Sequence, residues 1–454
     1  MVLLKTITPF LLSFMIGLGL LNLIFQKRPQ ISFLTAFCLG GGLGLGISSY
    51  LTFLSYLFIW QLNKNLVIIL HMTFLGAILA ALIYRCRKLR IPFWTLAPIT
   101  KDDVIGLTLL LIMSGTVLLN IHIHPYGGWD AWSVWNFKAK FLFEAGVYWE
   151  NIFHPTLWRS SPHYPLLLPL INVWGWIFHH SPTHTTTQIT TVIFNLITIG
   201  LIFSALKDLT RSYWSSLVVF LFFLQPYFLT LSSAQYADIV LSFYLFAGML
   251  CFILNIRHHN PRYLLLTGAF LGFLSFVKPE GYVATGILLI IIPGILWKTI
   301  QKFDRPKCLR FFFGSLFLFS IIPFVFKYFY APDNITMTNG LTSQTNPSTW
   351  PRLQTILSFY FHEIFKVGKQ GWNGLWIVII FGLLLSGKKI FRSETLVIPL
   401  FLLSYIGIVT MYYYVNTHFK IEWWLSVSFN RIELSLLPII TFWCFYSFWR
   451  ERME

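Results

Sequence analysis

The amino-acid sequence predicts an all-α fold, a polytopic bundle of transmembrane helices, and three observations lead to this prediction. Of the 454 residues, 56% are hydrophobic and only 11% are charged, whereas a soluble globular domain carries about 25% charged residues. Apolar runs of roughly 20 residues, the length of a membrane-spanning helix, recur along the chain. Lysine and arginine are concentrated in the short segments between these runs, as the positive-inside rule predicts for cytoplasmic loops.

About thirteen runs are long enough to be spanning helices. They are 7–25, 31–58, 65–84, 103–121, 186–206, 213–231, 237–256, 263–277, 281–297, 311–330, 372–386, 396–416 and 433–449. A further apolar segment, 164–179, is shorter and begins with Tyr164 and Pro165. The first run is followed by basic residues rather than by a small-residue cleavage site, so we interpret it as a retained span and not as a signal peptide.

The basic residues assign the two faces of the membrane. They comprise Lys27 and Arg28, the run Arg85–Arg90, Lys207 and Arg211, Arg257 and Arg262, the cluster from Lys298 to Arg310, the cluster from Lys388 to Arg392, and Arg450 and Arg452. All of these loops are cytoplasmic if segment 164–179 does not cross the membrane. We therefore expect a re-entrant or interfacial helix at 164–179, an outer N-terminus and a cytoplasmic C-terminus.

The net charge of +17 does not indicate nucleic-acid binding, because the basic residues are divided among short loops and no basic soluble module carries them. The five cysteines form no CxxC or Cys/His cluster, so neither a disulfide framework nor a zinc site is predicted. We divide the chain into added N-terminal transmembrane helices, 1–101, and a transmembrane core, 102–454. The core has two long outer loops, 122–164 and 331–373, where function is expected to concentrate.

The first outer loop carries an acidic residue at the start of a predicted helix. The pattern from Asp130 to Glu144 is helical, and Gly146 is a suitable terminator. Trp132, Trp135, Ala139 and Leu142 share one face of this helix, and tryptophan and lysine together are typical of a helix in the membrane interface. Asp130 is either an N-cap or a catalytic base, and the preceding Gly127-Gly128 pair would let the backbone approach a ligand closely.

Other polar residues fall on the same predicted face. They are His163 before the short segment, Asp238 at the start of one span, Lys278 and Glu280 at a tight turn between two spans, and Arg431 before the last span. Each has a structural interpretation, as an ion pair, a structural histidine or an arginine that reaches to lipid headgroups. The functional interpretation is a phosphate site, since arginine binds phosphate in a bidentate manner. The shared face favours function, because the topology was assigned from the loop charges alone.

These residues resemble the GT-C superfamily of polytopic glycosyltransferases, which includes protein O-mannosyltransferases and lipid A aminoarabinose transferases. The resemblance covers roughly residues 103–454 and rests on the order of five short motifs. They are Gly128-Trp129-Asp130-Ala131-Trp132 continuing through Asn136, Lys138 and Lys140, then His163 to Pro169, Tyr236-Ala237-Asp238, Lys278-Pro279-Glu280-Gly281, and Arg431. Two features depart from the family. Many members have Asp-Glu where this chain has Asp130-Ala131, and no Asp-x-Asp pair indicates a metal.

The resemblance implies transfer of a sugar from a polyprenyl-phosphate donor to a lipid, glycan or protein acceptor, on the non-cytoplasmic face of a bacterial inner membrane. Asp130 is the expected general base, and no cofactor is indicated. The expected substrate- and phosphate-binding residues are Lys278, Arg431, Glu280, Asp238, His163, Tyr236 and Lys138. The alternatives are a polytopic transporter or lipid flippase, which also needs polar residues at depth, and a non-enzymatic scaffold of an envelope complex.

Overall fold

A computed structural model of the chain describes residues 2–25, 31–89, 101–210, 215–342 and 349–449. Its secondary structure within these ranges is entirely helical. The helices are α1 (Val2–Ile24), α2 (Phe33–Ile59), α3 (Lys64–Leu89), α4 (Lys101–Ile123), α5 (Asn136–Glu144), α6 (Leu167–Ile177), α7 (His184–Thr210), α8 (Ser215–Phe223), α9 (Pro226–Ser233), α10 (Ala237–His258), α11 (Arg262–Ser275), α12 (Pro279–Thr299), α13 (Arg305–Phe329), α14 (Ile335–Thr342), α15 (Trp350–Phe365), α16 (Leu375–Ser386), α17 (Val397–Val415) and α18 (Ile421–Trp449).

The described residues contain ten helices that are long and apolar enough to cross a membrane, or eleven if the bent pair α8 and α9 is one span. The ten are α1 to α4, α7, α10, α12, α13, α17 and α18. Because such helices satisfy their own backbone hydrogen bonds, they are suited to a lipid environment. The chain is therefore a helical, multi-pass membrane protein.

Three of the predicted spans do not form long helices. The run 213–231 is broken into α8 and α9, which meet at an angle of 76°. Pro226 explains the break, since proline opens α9 and disfavours helical backbone in the residue before it. The run 263–277 forms only the 14 residues of α11, and the run 372–386 forms only the 12 residues of α16, which follows Gly374 at φ +83°. The last predicted span, in contrast, is the end of a longer helix that starts at Ile421.

Segment 164–179 contains the short helix α6, whose 11 residues are all buried. At 1.5 Å per residue such a helix is roughly 16 Å long, about half of the hydrocarbon thickness of a bilayer. The helix lies between α5 and the start of α7, and it packs on both and on α2. Its length agrees with the expectation of a segment that enters the protein without crossing the membrane.

The N-terminal helices pack directly into the rest of the bundle. Helix α2 is buried along most of its length and contacts α6 and α7 as well as α1. Two tyrosine hydroxyls join it to the core: Tyr244 of α10 donates to the carbonyl of Gly42 (2.8 Å), and Tyr50 of α2 donates to the carbonyl of Phe319 (2.6 Å). Helix α2, which belongs to the part of the chain that we predicted as an addition, is thus an internal support of the fold.

Close contact between α1 and α2 depends on glycine. A Cβ atom at Gly44 would overlap the carbonyl oxygen of Ser13 in α1, whereas a Cβ at Gly115 of α4 would meet no atom within 4 Å. We expect Gly44→Ala to lower the free energy of unfolding by about 1–3 kcal/mol, the cost of overpacking. Gly115→Ala is the matched control. Thermal unfolding of the two purified variants tests this, and equal melting temperatures would contradict the packing described.

The position of the α6–α7 connection can be tested by cysteine labelling. Thr183 lies between the two helices, so Thr183→Cys should react from the outer side with a membrane-impermeant maleimide if α6 does not cross. Among the described cysteines Cys86 is partly exposed, and the other four are buried. Cys86 lies near the predicted cytoplasmic end of α3 and is the internal control for sidedness. Labelling of Thr183→Cys from the cytoplasmic side alone would refute the arrangement.

Candidate functional site

The loop after α4 brings Asp130 close to the start of α10. Gly127 has φ +72°, and the amide of Gly128 donates to the carbonyl of Ala234 at 3.0 Å. A Cβ atom at Gly128 would overlap the hydroxyl of Tyr236, so the glycine allows this close approach. The Asp130 amide then lies 3.4 Å from the Tyr236 hydroxyl, which accepts its hydrogen bond. We expected the glycine pair to approach a ligand, and the structure shows that it approaches the protein's own chain.

The predicted helix from Asp130 to Glu144 is present, with a first turn of π geometry at Ala131–Trp135 followed by α5. Asp130 stands at the N-cap position of this turn, as predicted, but it has helical backbone angles and its carboxylate makes no capping hydrogen bond. The predicted interfacial face is also only partly correct. Trp135, Ala139 and Leu142 are buried inside the protein, while Trp132 is exposed. The exposed aromatic surface at this site is Trp129 and Trp132, whose rings meet at 4.4 Å.

Arg431 joins two carboxylates that are far apart in the sequence. Its Nη1 donates to Asp130 Oδ2 at 2.5 Å, and its Nε donates to Asp238 Oδ2 at 2.9 Å. The guanidinium also lies over the ring of Tyr236, with 4.7 Å to the ring centroid. Arg431 is inside α18 rather than in a loop before the last span, so the helix backbone fixes its Cα position. Its Nη2 makes no hydrogen bond to any described residue, and the side chain as a whole is 18% exposed.

Lys278 extends the network to α12. Its ammonium donates to Asp238 Oδ1 at 2.8 Å and lies 3.1 Å from Glu280 Oε1. Lys278 is the N-cap residue of α12, and Pro279 and Glu280 form its first turn. Burial alone would lower the pKa of the Lys278 ammonium, but the carboxylates of Asp238 and Glu280 outweigh burial and raise that pKa above its ordinary value. Lys278 is therefore a permanent cation.

We define the ionic cluster as Asp130, Asp238, Lys278, Glu280 and Arg431. Its positive and negative charges do not balance. Three carboxylates face two cations, which leaves one negative charge in excess. Exposure separates their roles: the Asp238 side chain is 2% exposed and accepts from both cations, whereas Asp130 is 25% exposed and Glu280 is 31% exposed. Asp238 thus has the position of a central ion-pair partner. Asp130 is the carboxylate that a substrate could reach, because Glu280 Oε1 faces Lys278 and Glu280 Oε2 is buried.

The cluster lies at one end of the helices that carry it. Asp238 is in the first turn of α10, and the basic Arg257 is in the last turn of the same helix. Glu280 is likewise in the first turn of α12, with Lys298 in the last turn. The structure thus brings together five of the six residues for which the sequence predicted a shared face, all except His163, and the predicted cytoplasmic charges of α10 and α12 lie at the opposite ends.

Two tyrosines border the cluster. Burial raises the pKa of the Tyr236 hydroxyl, and the charge of Asp130 raises it further. Burial also raises the pKa of Tyr164, and the charges of Glu280, Lys278, Arg431 and Asp130 all act on this group as well. Both side chains therefore stay protonated at neutral pH. The predicted substrate-binding residue Tyr236 contacts the cluster, and Tyr164, which the sequence analysis did not assign, lies beside it.

Lys138 and His163 occupy different places from those expected. The Lys138 side chain is fully buried, and its ammonium donates to the carbonyls of Ser161 (2.6 Å) and Tyr164 (3.0 Å). Burial lowers the pKa of Lys138 well below its ordinary value. We therefore replace the predicted ligand-binding role of Lys138 by a structural one, because its protons hold the turn 161–164.

His163 lies in that turn, outside the ionic cluster. Burial, with added repulsion from Lys138 and Lys327, lowers the pKa of its imidazole to about 3, so the ring is neutral at physiological pH. Its Nε2 atom is buried and has no hydrogen-bond partner among the described residues. His163 also packs edge-on against the ring of Tyr164 at 4.8 Å.

The structure also contains a second buried acidic group, which we did not predict from the sequence. Glu363 of α15 pairs with Lys366 at 2.7 Å, and Glu433 of α18 accepts from the indole of Trp372 at 2.8 Å. Asn430 bridges the two carboxylates when its amide is oriented to donate to both. The available signal was a glutamate inside an apolar run, three residues after an asparagine on the same helical face. This group attaches α15, from the second long loop, to the helix that carries Arg431.

No group of three or more histidine, cysteine, aspartate or glutamate residues suited to a metal ion occurs within the described ranges. The chain matches no protein-family model, no curated protein and no solved structure.

The central place of Asp238 can be tested by stability. Asp238→Ala leaves the buried Lys278 and the partly buried Arg431 without their shared partner, and breaking a buried pair in this way costs about 3–5 kcal/mol. We expect a large fall in the melting temperature of the purified protein. Glu144→Gln removes an exposed carboxylate of α5 and should change stability by at most about 0.5 kcal/mol. Similar melting temperatures for both variants would show that the network does not stabilise the fold.

Proposed function

We propose that the chain is a membrane glycosyltransferase that moves a sugar from a polyprenyl-phosphate donor to an acceptor on the non-cytoplasmic face of a bacterial inner membrane. The observation that supports this most directly is the arrangement of Arg431. One guanidinium group holds a partly exposed carboxylate, Asp130, and its Nη2 makes no hydrogen bond to a described residue. A base and a phosphate ligand are thereby adjacent, in a chain with only 11% charged residues.

Asp130 is the proposed general base. One of its oxygens is held by Arg431, and the acceptor hydroxyl or amine would bind at the other. Asp130 takes the proton as the acceptor atom bonds to the anomeric carbon, and the bond from that carbon to the phosphate oxygen breaks, with inversion. A positioned base contributes typically about 10²–10⁴-fold to such a step. Protonation of Asp130 also leaves two carboxylates facing two cations, which removes the negative excess of the cluster.

Arg431 is the proposed ligand of the leaving phosphate. The phosphate gains negative charge as the anomeric bond breaks, and a fixed guanidinium stabilises that charge. Lys278 is almost fully buried and already paired, so its contribution is the long-range field of a permanent cation. Asp238 and Glu280 hold these two cations in place. The acceptor in this proposal is a lipid, a glycan or a protein.

A transporter or lipid flippase is the second candidate. The 76° break between α8 and α9 and the short buried helix α6 favour it, because transporters commonly build substrate sites from interrupted helices. A transporter would move the intact lipid-linked sugar across the bilayer without breaking the anomeric bond.

The two candidates differ in their products. The purified full chain is incubated with polyprenyl-phosphate sugars and candidate acceptors, and glycosylated product is measured. We expect Asp130→Asn to lower kcat by about 10²–10⁴-fold with donor binding retained, because only the base is lost. Glu144→Gln, on the same loop helix, should transfer at the wild-type rate. Full transfer activity of Asp130→Asn would contradict the assignment of Asp130 as the base. Movement of the intact donor across vesicle membranes without glycosylated product would favour the transporter.

A further inference from the structure

A cavity of about 270 Å³ is lined in part by Pro162 and His163 of the turn 161–164, the turn whose last residue, Tyr164, borders the ionic cluster. Three loop segments form its walls. The residues that line it are Pro155, Trp158, Pro162 and His163 from the first long loop, Pro332, Asp333, Asn334 and Thr336 from the second, and His418 from the loop between α17 and α18. Ligand pockets for larger molecules measure about 300–1,000 Å³, so this cavity is the size for a single ring.

Hydrogen bonds between the loops hold the cavity in shape. Asn416 is fully buried; its amide donates to the carbonyl of Thr336 at 3.2 Å, and its Oδ1 accepts from the backbone amide of His418 at 3.1 Å. Arg352 of α15 donates to the carbonyl of Asn416 at 2.7 Å. On the opposite wall, Lys138 fixes the turn that carries His163. The walls are therefore positioned by buried polar contacts and not only by loop packing.

The lining combines an aromatic plane with uncharged polar groups. Trp158 is 55% exposed, and the guanidinium of Arg159 lies over its ring at 5.2 Å. Asn334, Thr336 and the neutral imidazole of His163 offer both donors and acceptors. Among the described residues no lysine or arginine lines the cavity, and Asp333 supplies one negative charge. This chemistry disfavours phosphate and suits a neutral ring with apolar faces and hydroxyl edges.

We propose that the cavity binds a neutral, hydroxyl-bearing sugar ring and is the acceptor subsite. Binding of the ring stands on the cavity alone, while its role as acceptor rests on the proposed transferase function. The donor phosphate belongs at Arg431. The turn 161–164 joins this site to the cavity, since His163 lines the cavity and the neighbouring Tyr164 interacts with the charges of Asp130 and Arg431. An acceptor whose ring binds in the cavity would extend past this turn to place its reacting hydroxyl at Asp130. The buried Lys138 is a positioning residue for the turn.

The test is direct binding of the methyl glycosides of glucose, galactose, mannose and N-acetylglucosamine to the full chain in nanodiscs, measured by saturation-transfer difference NMR. We expect at least one glycoside to bind. Trp158→Ala should weaken its affinity about tenfold, as expected for the loss of a main aromatic contact. Thr336→Phe, which fills the cavity without removing Trp158, should have the same effect.

One variant serves as the matched control. Trp297→Ala removes a tryptophan of similar exposure, 61%, that also has an arginine over its ring at 4.9 Å but does not line the cavity. It should bind the glycoside as the wild type does. No binding to the wild type, or binding unchanged in both Trp158→Ala and Thr336→Phe, would overturn the cavity proposal.

The same variants separate this proposal from the proposed function. If glycoside binding depends on Trp158 and Thr336 but no transfer from polyprenyl-phosphate sugars occurs, the cavity is a sugar site and the transferase proposal fails. If transfer occurs and depends on Asp130 while Trp158→Ala and Thr336→Phe leave the KM for the acceptor unchanged, the acceptor subsite is elsewhere and the cavity proposal fails.

Discussion

The charge network around Asp238 is the interaction on which the described site depends. Asp238 accepts hydrogen bonds from Lys278 and Arg431, and through them it is joined to Glu280 and Asp130. These groups come from the first long loop and from α10, α12 and α18. Ionised groups at bilayer depth are costly unless they are paired or face water. Each charged group is therefore stabilised by the others, and the chemistry of Asp130 depends on its ion-pair partners as well.

The backbone around the network is irregular, and polar side chains compensate for this. Asn136 donates to Gln235 at 3.1 Å, Asn172 of α6 donates to Asn136 at 3.2 Å, and Thr190 of α7 donates to Asn172 at 2.9 Å. Gln235 also donates to the carbonyl of Pro125 at 2.9 Å. Non-helical backbone is tolerated at membrane depth only where protein or water satisfies it. This chain of amides connects the loop of Asp130 to α6 and α7 and so supports the position of the carboxylate.

The N-terminal helices have a physical role that a division at residue 101 would not suggest. Tyr56 of α2 donates to the carbonyl of Leu142 at the end of α5 (2.7 Å), and the indole of Trp174 in α6 donates to the carbonyl of Pro9 in α1 (3.0 Å). Both contacts reach elements that flank the ionic cluster. Helices α1 and α2 thus contact α5 and α6 directly, and these two N-terminal helices take part in positioning the site.

The sequence by itself determined the helical membrane class and the approximate positions of the long spans, and the five residues of the ionic cluster were among its eight candidate site residues. Composition and the length of the apolar runs indicate directly which segments are suited to lipid. Because a charge in a bilayer is costly, each charged residue near an apolar run is easy to identify as a candidate site residue. Where proline or glycine interrupts a run, as at Pro226 and Gly374, tertiary packing decided whether a full-length helix forms. Tertiary packing also decided that Lys138 is buried and that Glu363 pairs with its neighbours.

Only the tertiary structure decided which charges pair and which remain accessible. Asp130 and Arg431 are 301 positions apart, and no local pattern encodes their 2.5 Å contact. The cavity near Trp158 could not be predicted from local sequence patterns either, because its walls come from three separate loops. Local sequence patterns indicate whether a segment is suited to lipid or to water. The packing of the whole bundle determines which side chains pair with each other.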